Sequence, residues 1–71
     1  MQDFDRAIED LTTAIRFDPQ AASSFNTRGY CYARKGQYGR AFADGKEGLK
    51  LDPKTPVIYL DASRERLKRL R

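Results

Sequence analysis

The apolar residues near the start of the chain are spaced as on one face of an α-helix. Between residues 3 and 17 they recur at intervals of three and four, at Phe4, Ala7, Ile8, Leu11, Ala14 and Ile15. This spacing predicts an amphipathic helix over residues 3–17. Asp3 has the side chain of a good N-cap. The pair Asp18-Pro19 predicts the end of the helix, because a residue before proline is disfavoured in the α region.

Similar signals divide the rest of the chain into three more helices, which we predict over residues 21–35, 37–51 and 56–70. Gly36 is suited to end the second helix as its C′ residue, and Asp52-Pro53 closes the third. Thr55-Pro56 predicts a cap followed by proline at the first position of the fourth helix. Short links make neighbouring helices antiparallel. The predicted fold class is therefore all-α, with antiparallel helix–turn–helix units in one domain over residues 1–71.

Two stretches of the sequence, residues 4–19 and 38–53, are alike at a distance of 34 residues. Apolar residues match apolar ones, and several identities recur: Arg6 with Arg40, Ala7 with Ala41, Asp10 with Asp44, and Asp18-Pro19 with Asp52-Pro53. A fixed period of this length indicates a repeat architecture, in which each unit buries its apolar face against the next.

The central 34 residues, 22–55, resemble a tetratricopeptide repeat. The positions that carry the resemblance are Phe25, Gly29, Tyr32, Gly36, Tyr38, Ala41 and Pro53. The resemblance implies one complete repeat of helices A and B, preceded by a B helix and followed by an A-type or capping helix. It implies an α-solenoid fold and a protein–protein interaction module rather than an enzyme.

The chain departs from the family pattern at four positions. Arg28 stands where leucine is usual, and Arg66 stands where an aromatic residue is usual. Gly45 and Gly48 replace larger residues. They indicate either a shallow cleft for a side chain of a partner or, as the favoured reading, a degenerate repeat or close packing against a bulky neighbour.

The resemblance also implies a binding site, because in this family the A helices line a concave groove. The groove-facing positions are Asn26, Tyr30, Arg34, Leu60, Arg64 and Lys68. We expect them to bind an extended peptide or a helix with acidic and apolar side chains, the cations pairing with carboxylates. The lysine, asparagine and arginine pattern of the subfamily that clamps chaperone tails is missing, and Asp61 would repel a carboxylate.

Self-assembly is the alternative function. Residues 1–18 carry two basic and five acidic side chains, whereas residues 54–71 carry six basic and two acidic ones. An acidic first helix could dock on the basic fourth helix of another copy, which would give a homo-oligomer. A two-fold dimer through Leu60, Leu67 and Leu70 is equally open. Nucleic-acid binding through the basic end is less favoured, because a short basic helix is weak support by itself.

The composition disfavours catalysis and metal binding. The 71 residues include no histidine and a single cysteine, so neither an intrachain disulfide nor a zinc site is expected. No cofactor motif is recognised. We expect Cys31 to be a buried structural thiol. No run of 18 apolar residues predicts a membrane span, and the acidic start does not resemble a secretory signal. The default expectation is a cytoplasmic protein.

Overall fold

The computed structural model describes residues 3–69, which form four helices. They are α1 (Phe4–Phe17), α2 (Ala22–Arg34), α3 (Tyr38–Leu51) and α4 (Leu60–Arg69), and no strand occurs among the described residues. The all-α, four-helix fold class is confirmed. Each helix packs on the next along the chain, and α2 and α3 form the most extensive of these contacts.

The helix ends follow from local side-chain and backbone chemistry. A carboxylate oxygen of Asp3 accepts from the backbone N–H of Arg6 at 3.0 Å, which caps α1. Gly36 has φ +79°, and its N–H donates to the carbonyl of Ala33 at 3.0 Å. The N–H of Gln37 reaches back to the carbonyl of Tyr32 at 2.9 Å. These two bonds make the Schellman motif, which explains why glycine follows α2.

The 34-residue period extends to the turns. After α1, the Asp18 carboxylate accepts from the N–H of Gln20 at 3.1 Å. After α3, the Asp52 carboxylate accepts from the N–H of Lys54 at 3.0 Å. The two Asp-Pro pairs therefore build the same turn, in which a short side chain replaces a backbone acceptor.

Small residues on α3 let its neighbours approach closely. Ala41 is 0% exposed, and Gly45 and Gly48 are also buried. A methyl group added at Gly45 would lie 2.8 Å from Cγ1 of Val57 and 2.9 Å from Cδ1 of Leu60. Close packing against bulky neighbours, rather than an open cleft, is what the structure shows at Gly45.

The fourth helix begins at Leu60, so the prediction that it begins at residue 56 was wrong. The Thr55 hydroxyl donates to the Asp52 carbonyl at 2.7 Å, at the end of α3, instead of capping α4. The N–H groups of Val57 and Ile58 donate two residues back, to Thr55 and Pro56. With the N–H of Thr55 donating to the Asp52 carbonyl, these tight turns give partners to the N–H groups of Thr55, Val57 and Ile58 without a helix.

None of the helices described over residues 3–69 is both long enough and apolar enough to cross a lipid bilayer.

Candidate functional site

Three of the predicted groove residues share one face of α2. Asn26, Tyr30 and Arg34 follow each other at intervals of four, which places them one above another on a helix. A guanidinium nitrogen of Arg34 donates to the Tyr30 hydroxyl at 3.1 Å. The guanidinium carbon also lies 5.5 Å from the ring centre of Phe4 on α1. Arg34 is thus an exposed cation that lies over the rings of Phe4 and Tyr30 and donates one hydrogen bond.

Tyr59 ties the irregular segment before α4 to this face of α2. Its hydroxyl donates to the backbone carbonyl of Asn26 at 2.8 Å. A methyl group added at Gly29 would lie 2.7 Å from Cζ of Tyr59, so the ring needs a glycine beneath it. Burial, reinforced by the charge of Asp44, raises the pKa of Tyr59 above its ordinary value. Tyr59 is therefore a neutral hydrogen-bond donor under physiological conditions.

A cleft of about 180 Å³ lies between α2 and the segment before α4. Its walls are formed by Asn26, Thr27, Tyr30, Pro56, Ile58 and Tyr59. The side-chain oxygen Oδ1 of Asn26 is buried and has no hydrogen-bond partner among residues 3–69. Ile58, on the opposite wall, is 81% exposed. Asn26 thus brings an unused acceptor, buried from solvent, to the wall of the cleft, and Ile58 brings an apolar side chain that solvent reaches.

The predicted groove residues of α4 do not join this cleft. Leu60 packs against α3 beside Gly45, so it is a packing residue. Arg64 is paired with Asp61 at 3.1 Å on its own helix, and Lys68 lies 4.0 Å from Glu65. Both cations are exposed.

The predicted self-association residues also differ in their surroundings. Leu67 is half-buried and lies near α3. Its Cδ2 would be 4.0 Å from a methyl group added at Gly39 of α3. Leu60 is half-buried as well. Leu70 lies outside the described residues.

A second hollow, of about 490 Å³, lies on the outer face of α3. It is lined by Gly39, Phe42, Ala43, Lys46, Glu47 and Lys50, all from one helix. The ammonium group of Lys46 lies 5.3 Å from the ring centre of Phe42 and covers it. A hollow with one wall offers a partner less enclosure than the smaller cleft, which has two.

An ion pair joins α2 to α3, and it was not predicted from the sequence. Two guanidinium nitrogens of Arg28 donate to the two carboxylate oxygens of Asp44, at 2.7 and 2.8 Å. A third donates to the Thr12 hydroxyl of α1 at 3.2 Å. The hydrogen bond to Asp44 raises the pKa of Arg28. The available signal was the unusual arginine at position 28, which calls for a carboxylate partner on a neighbouring helix.

Cys31, a residue of α2, is buried at 4% exposure, as predicted for a structural thiol. Burial raises its pKa, which lowers the fraction of reactive thiolate. Among residues 3–69 there is no group of three or more Cys, Asp or Glu side chains arranged to hold a metal ion.

The family assignment rests on the paired helices α2 and α3 and on a direct sequence match. Residues 22–55 match the family model described as "Tetratricopeptide repeat". The chain carries a tetratricopeptide repeat. In this repeat α2 is helix A and α3 is helix B, while α1 corresponds to a preceding B helix and α4 to a following A helix. A repeat of this family indicates a protein–protein interaction role.

Known relatives contain a similar segment. Over 59 residues the chain is 37% identical to the "Protein SGT1 homolog" of Bos taurus and 36% identical to that of Homo sapiens. Over 58 residues it is 33% identical to the "Small glutamine-rich tetratricopeptide repeat-containing protein 2" of Mycosarcoma maydis. These alignments cover 82% or 83% of this chain but only 16% or 18% of each relative. No solved structure matches the chain.

The wall of the cleft that lies before α4 was not predicted from the sequence. Pro56, Ile58 and Tyr59 were assigned to the first turns of a regular helix, so no contact with Asn26 was expected. The signal that pointed to them was the isolated apolar run from Val57 to Leu60 after a proline.

Proposed function

We propose that this tetratricopeptide repeat binds an extended peptide segment of a partner protein in the cleft between α2 and residues 56–59. The observation that carries the proposal is the buried Oδ1 of Asn26, which has no partner among the described residues. A buried acceptor left unpaired costs about 1–3 kcal/mol, and a backbone N–H of a bound peptide would remove that cost once the Asn26 side chain turns Oδ1, which solvent does not reach, into the cleft.

The size of the cleft supports a short peptide run as the ligand. Small-molecule pockets usually have about 300–1,000 Å³, whereas this cleft has about 180 Å³. Ile58 and Pro56 form an apolar wall, and Ile58 is 81% exposed. A peptide that places an aliphatic side chain on this wall would remove apolar surface of both from water. Burial of apolar surface is the main favourable term in association.

Arg34 supports a preference for an acidic residue in the peptide. It lies two turns beyond Asn26 on the same face of α2, and the rings of Phe4 and Tyr30 hold it in place. A preorganised guanidinium loses little side-chain entropy when it pairs with a carboxylate. Arg64 and Lys68 already have carboxylate neighbours on α4, so we expect them to contribute less.

The proposal is tested by selecting binders from a library of random linear peptides displayed on phage, then measuring the best peptide by fluorescence anisotropy. We expect enrichment of aliphatic and acidic residues. Asn26→Ala removes Oδ1 but keeps the backbone carbonyl that Tyr59 uses, and it should weaken binding about tenfold, the equivalent of one hydrogen bond. Ile58→Ala should weaken binding as well.

Lys46→Ala provides the matched control, because Lys46 is exposed and lines the other hollow. It should leave the affinity unchanged. Binding that survives Asn26→Ala and Ile58→Ala but is lost in Lys46→Ala would place the peptide on the outer face of α3 and refute the proposal.

A further inference from the structure

The charge of Arg34 lies beside the cleft, although its backbone is two turns away from Asn26 along α2. A guanidinium nitrogen donates to the Tyr30 hydroxyl at 3.1 Å, and the guanidinium carbon lies 5.9 Å from the centre of the Tyr30 ring. Tyr30 forms part of the cleft wall. Long side chains on a helix point back towards its N-terminus, which explains how Arg34 reaches a ring one turn earlier. The guanidinium therefore borders the cleft at its Tyr30 end.

The apolar wall of the cleft is tied to α2 at Asn26. The Tyr59 hydroxyl donates to the Asn26 carbonyl at 2.8 Å, and Ile58 precedes Tyr59 in the chain. Gly29 leaves the space that lets the Tyr59 ring approach α2. A ligand side chain that contacts Ile58 therefore lies near Asn26, whereas one that contacts the guanidinium lies further along α2, towards its C-terminal end.

The charge of Arg34 is left for a ligand, unlike those of its two cationic neighbours. Arg28 has a carboxylate partner on α3, and Lys35, which follows α2, has one on α1. The hydrogen bond that Arg34 donates goes to a neutral hydroxyl, that of Tyr30. This contact does not neutralise the guanidinium, so it can pair with a carboxylate of a bound peptide.

The rise of α2 sets the distance between the apolar contact and the charged one. An α-helix rises about 1.5 Å per residue, so Tyr30 lies about 6 Å and Arg34 about 12 Å beyond Asn26. The guanidinium bends back from Arg34 to the Tyr30 ring and lies between these two levels. An extended peptide that runs along α2 advances about 3.3 Å per residue, so about two to four residues span this distance. Its successive side chains point to opposite sides, so only those two or four positions apart face the same surface.

We propose that the cleft recognises a linear motif in which an acidic residue stands two or four positions from an aliphatic one, counted in either direction. This inference rests on the proposed function and adds the spacing of the two recognised side chains to it. The aliphatic side chain packs on Ile58, and the carboxylate pairs with Arg34. Arg34 is then the residue that determines specificity. The partner is a protein that presents the motif in an extended segment.

The test starts from the tightest linear peptide selected for the cleft. Its anchor is the aliphatic residue whose change to alanine weakens binding most. All acidic residues are replaced by asparagine, and a single aspartate is then introduced at each separation from one to five positions on either side of the anchor. Fluorescence anisotropy gives the Kd of each peptide. Separations of two or four, on at least one side, should bind about threefold to fivefold more tightly than the all-asparagine peptide, as expected for an exposed ion pair. Separations of one, three or five should give no gain.

Arg34→Gln separates the charge from the rest of the cleft. It should remove the gain at separations of two and four and leave the affinity for the all-asparagine peptide unchanged. Arg40→Gln is the matched control, because Arg40 is also an exposed arginine over a tyrosine ring, 5.9 Å from the centre of Tyr32, but lies on α3. It should keep the gain. Added salt should reduce the gain in wild type, because the pair is exposed to solvent.

Three results would overturn the inference: an affinity that does not depend on the separation, a maximum at three positions, or a gain that survives Arg34→Gln. A maximum at three would indicate a helical peptide, whose side chains share a face at that spacing. In each case the proposed function stands as long as Asn26→Ala weakens binding. Binding that Asn26→Ala leaves unchanged, or a library that yields no binder, refutes the proposed function and this inference with it.

Discussion

The ion pair between Arg28 and Asp44 should stabilise the fold only while both partners are present. The Arg28 side chain is 17% exposed and that of Asp44 is 9% exposed, so water replaces a lost partner poorly. Removing one member of a buried pair typically costs about 3–5 kcal/mol. For Asp44→Ala we expect about 2–3 kcal/mol, because the guanidinium keeps Thr12 and some solvent. Arg28→Ala leaves the more buried Asp44 carboxylate without its partner and should lower the free energy of unfolding by about 3–4 kcal/mol.

These losses are large for a chain of 71 residues, which at the usual stability per residue has about 4–10 kcal/mol in total. The double variant Arg28→Leu with Asp44→Leu should unfold within about 1 kcal/mol of wild type, because apolar residues can replace a buried pair at little net cost. The cycle is completed by the single variants Arg28→Leu and Asp44→Leu, for which we expect the same losses as for the alanine variants, so the coupling between the two sites is of the order of 4–6 kcal/mol.

The assay is urea unfolding followed by circular dichroism at the helical band for wild type, both single leucine variants and the double leucine variant. Added salt should change the coupling little, because a buried pair is poorly screened. If the loss in the double variant equals the sum of the two single losses, the pair does not act as a unit and the reasoning fails. If the chain unfolds in several steps, the unfolding free energies of the four proteins are compared for the step in which α2 and α3 unfold.

Two further predictions concern α3 and Tyr59. Gly45→Ala should destabilise the fold by about 1 kcal/mol or more, because overpacking against Val57 and Leu60 exceeds the gain in helix propensity. At Gly39 the added methyl group has free space, so Gly39→Ala should stabilise the fold by about 0.5–1 kcal/mol. Urea unfolding of both variants checks this, and a stabilising Gly45→Ala would contradict the close packing. Because burial raises the pKa of Tyr59, the unfolded chain releases that proton first, at about pH 10, so stability is present below that pH and is lost above it. Tyr59→Phe should show a shallower loss over the same range; parallel pH curves for the two proteins would argue against the buried hydroxyl.

The helices were predictable because their determinants are local. Spacing of apolar residues, the Asp3 cap, Gly36 and the two Asp-Pro turns each act within a few residues. The 34-residue period then assigned the helices to a known repeat, which fixed the order of packing.

The start of α4 was not predictable from the same signals, because a contact distant in sequence decides it. Thr55-Pro56 resembles a helix start, but Thr55 bonds back to α3 and Tyr59 reaches 33 residues away to Asn26. That tertiary contact also creates the second wall of the cleft. For this reason Ile58 was missed, and Leu60 was expected in the groove although it packs on Gly45.

The departure at Arg28 was noticed in the sequence, but its partner was not. Asp44 lies 16 residues away, on the other helix of the repeat, and a carboxylate on a helix is usually exposed. Only the packing of α2 on α3 brings the two charges together.

Nuclear magnetic resonance would show directly whether a peptide binds in the cleft beside Asn26. The selected peptide would be titrated into ¹⁵N-labelled protein while backbone and Asn side-chain amide signals are followed. We expect the largest shifts at Asn26, including its side-chain amide, and at Tyr30 and Ile58. Shifts confined to Phe42 and Lys46 on the outer face of α3, with Asn26 unchanged, would contradict it.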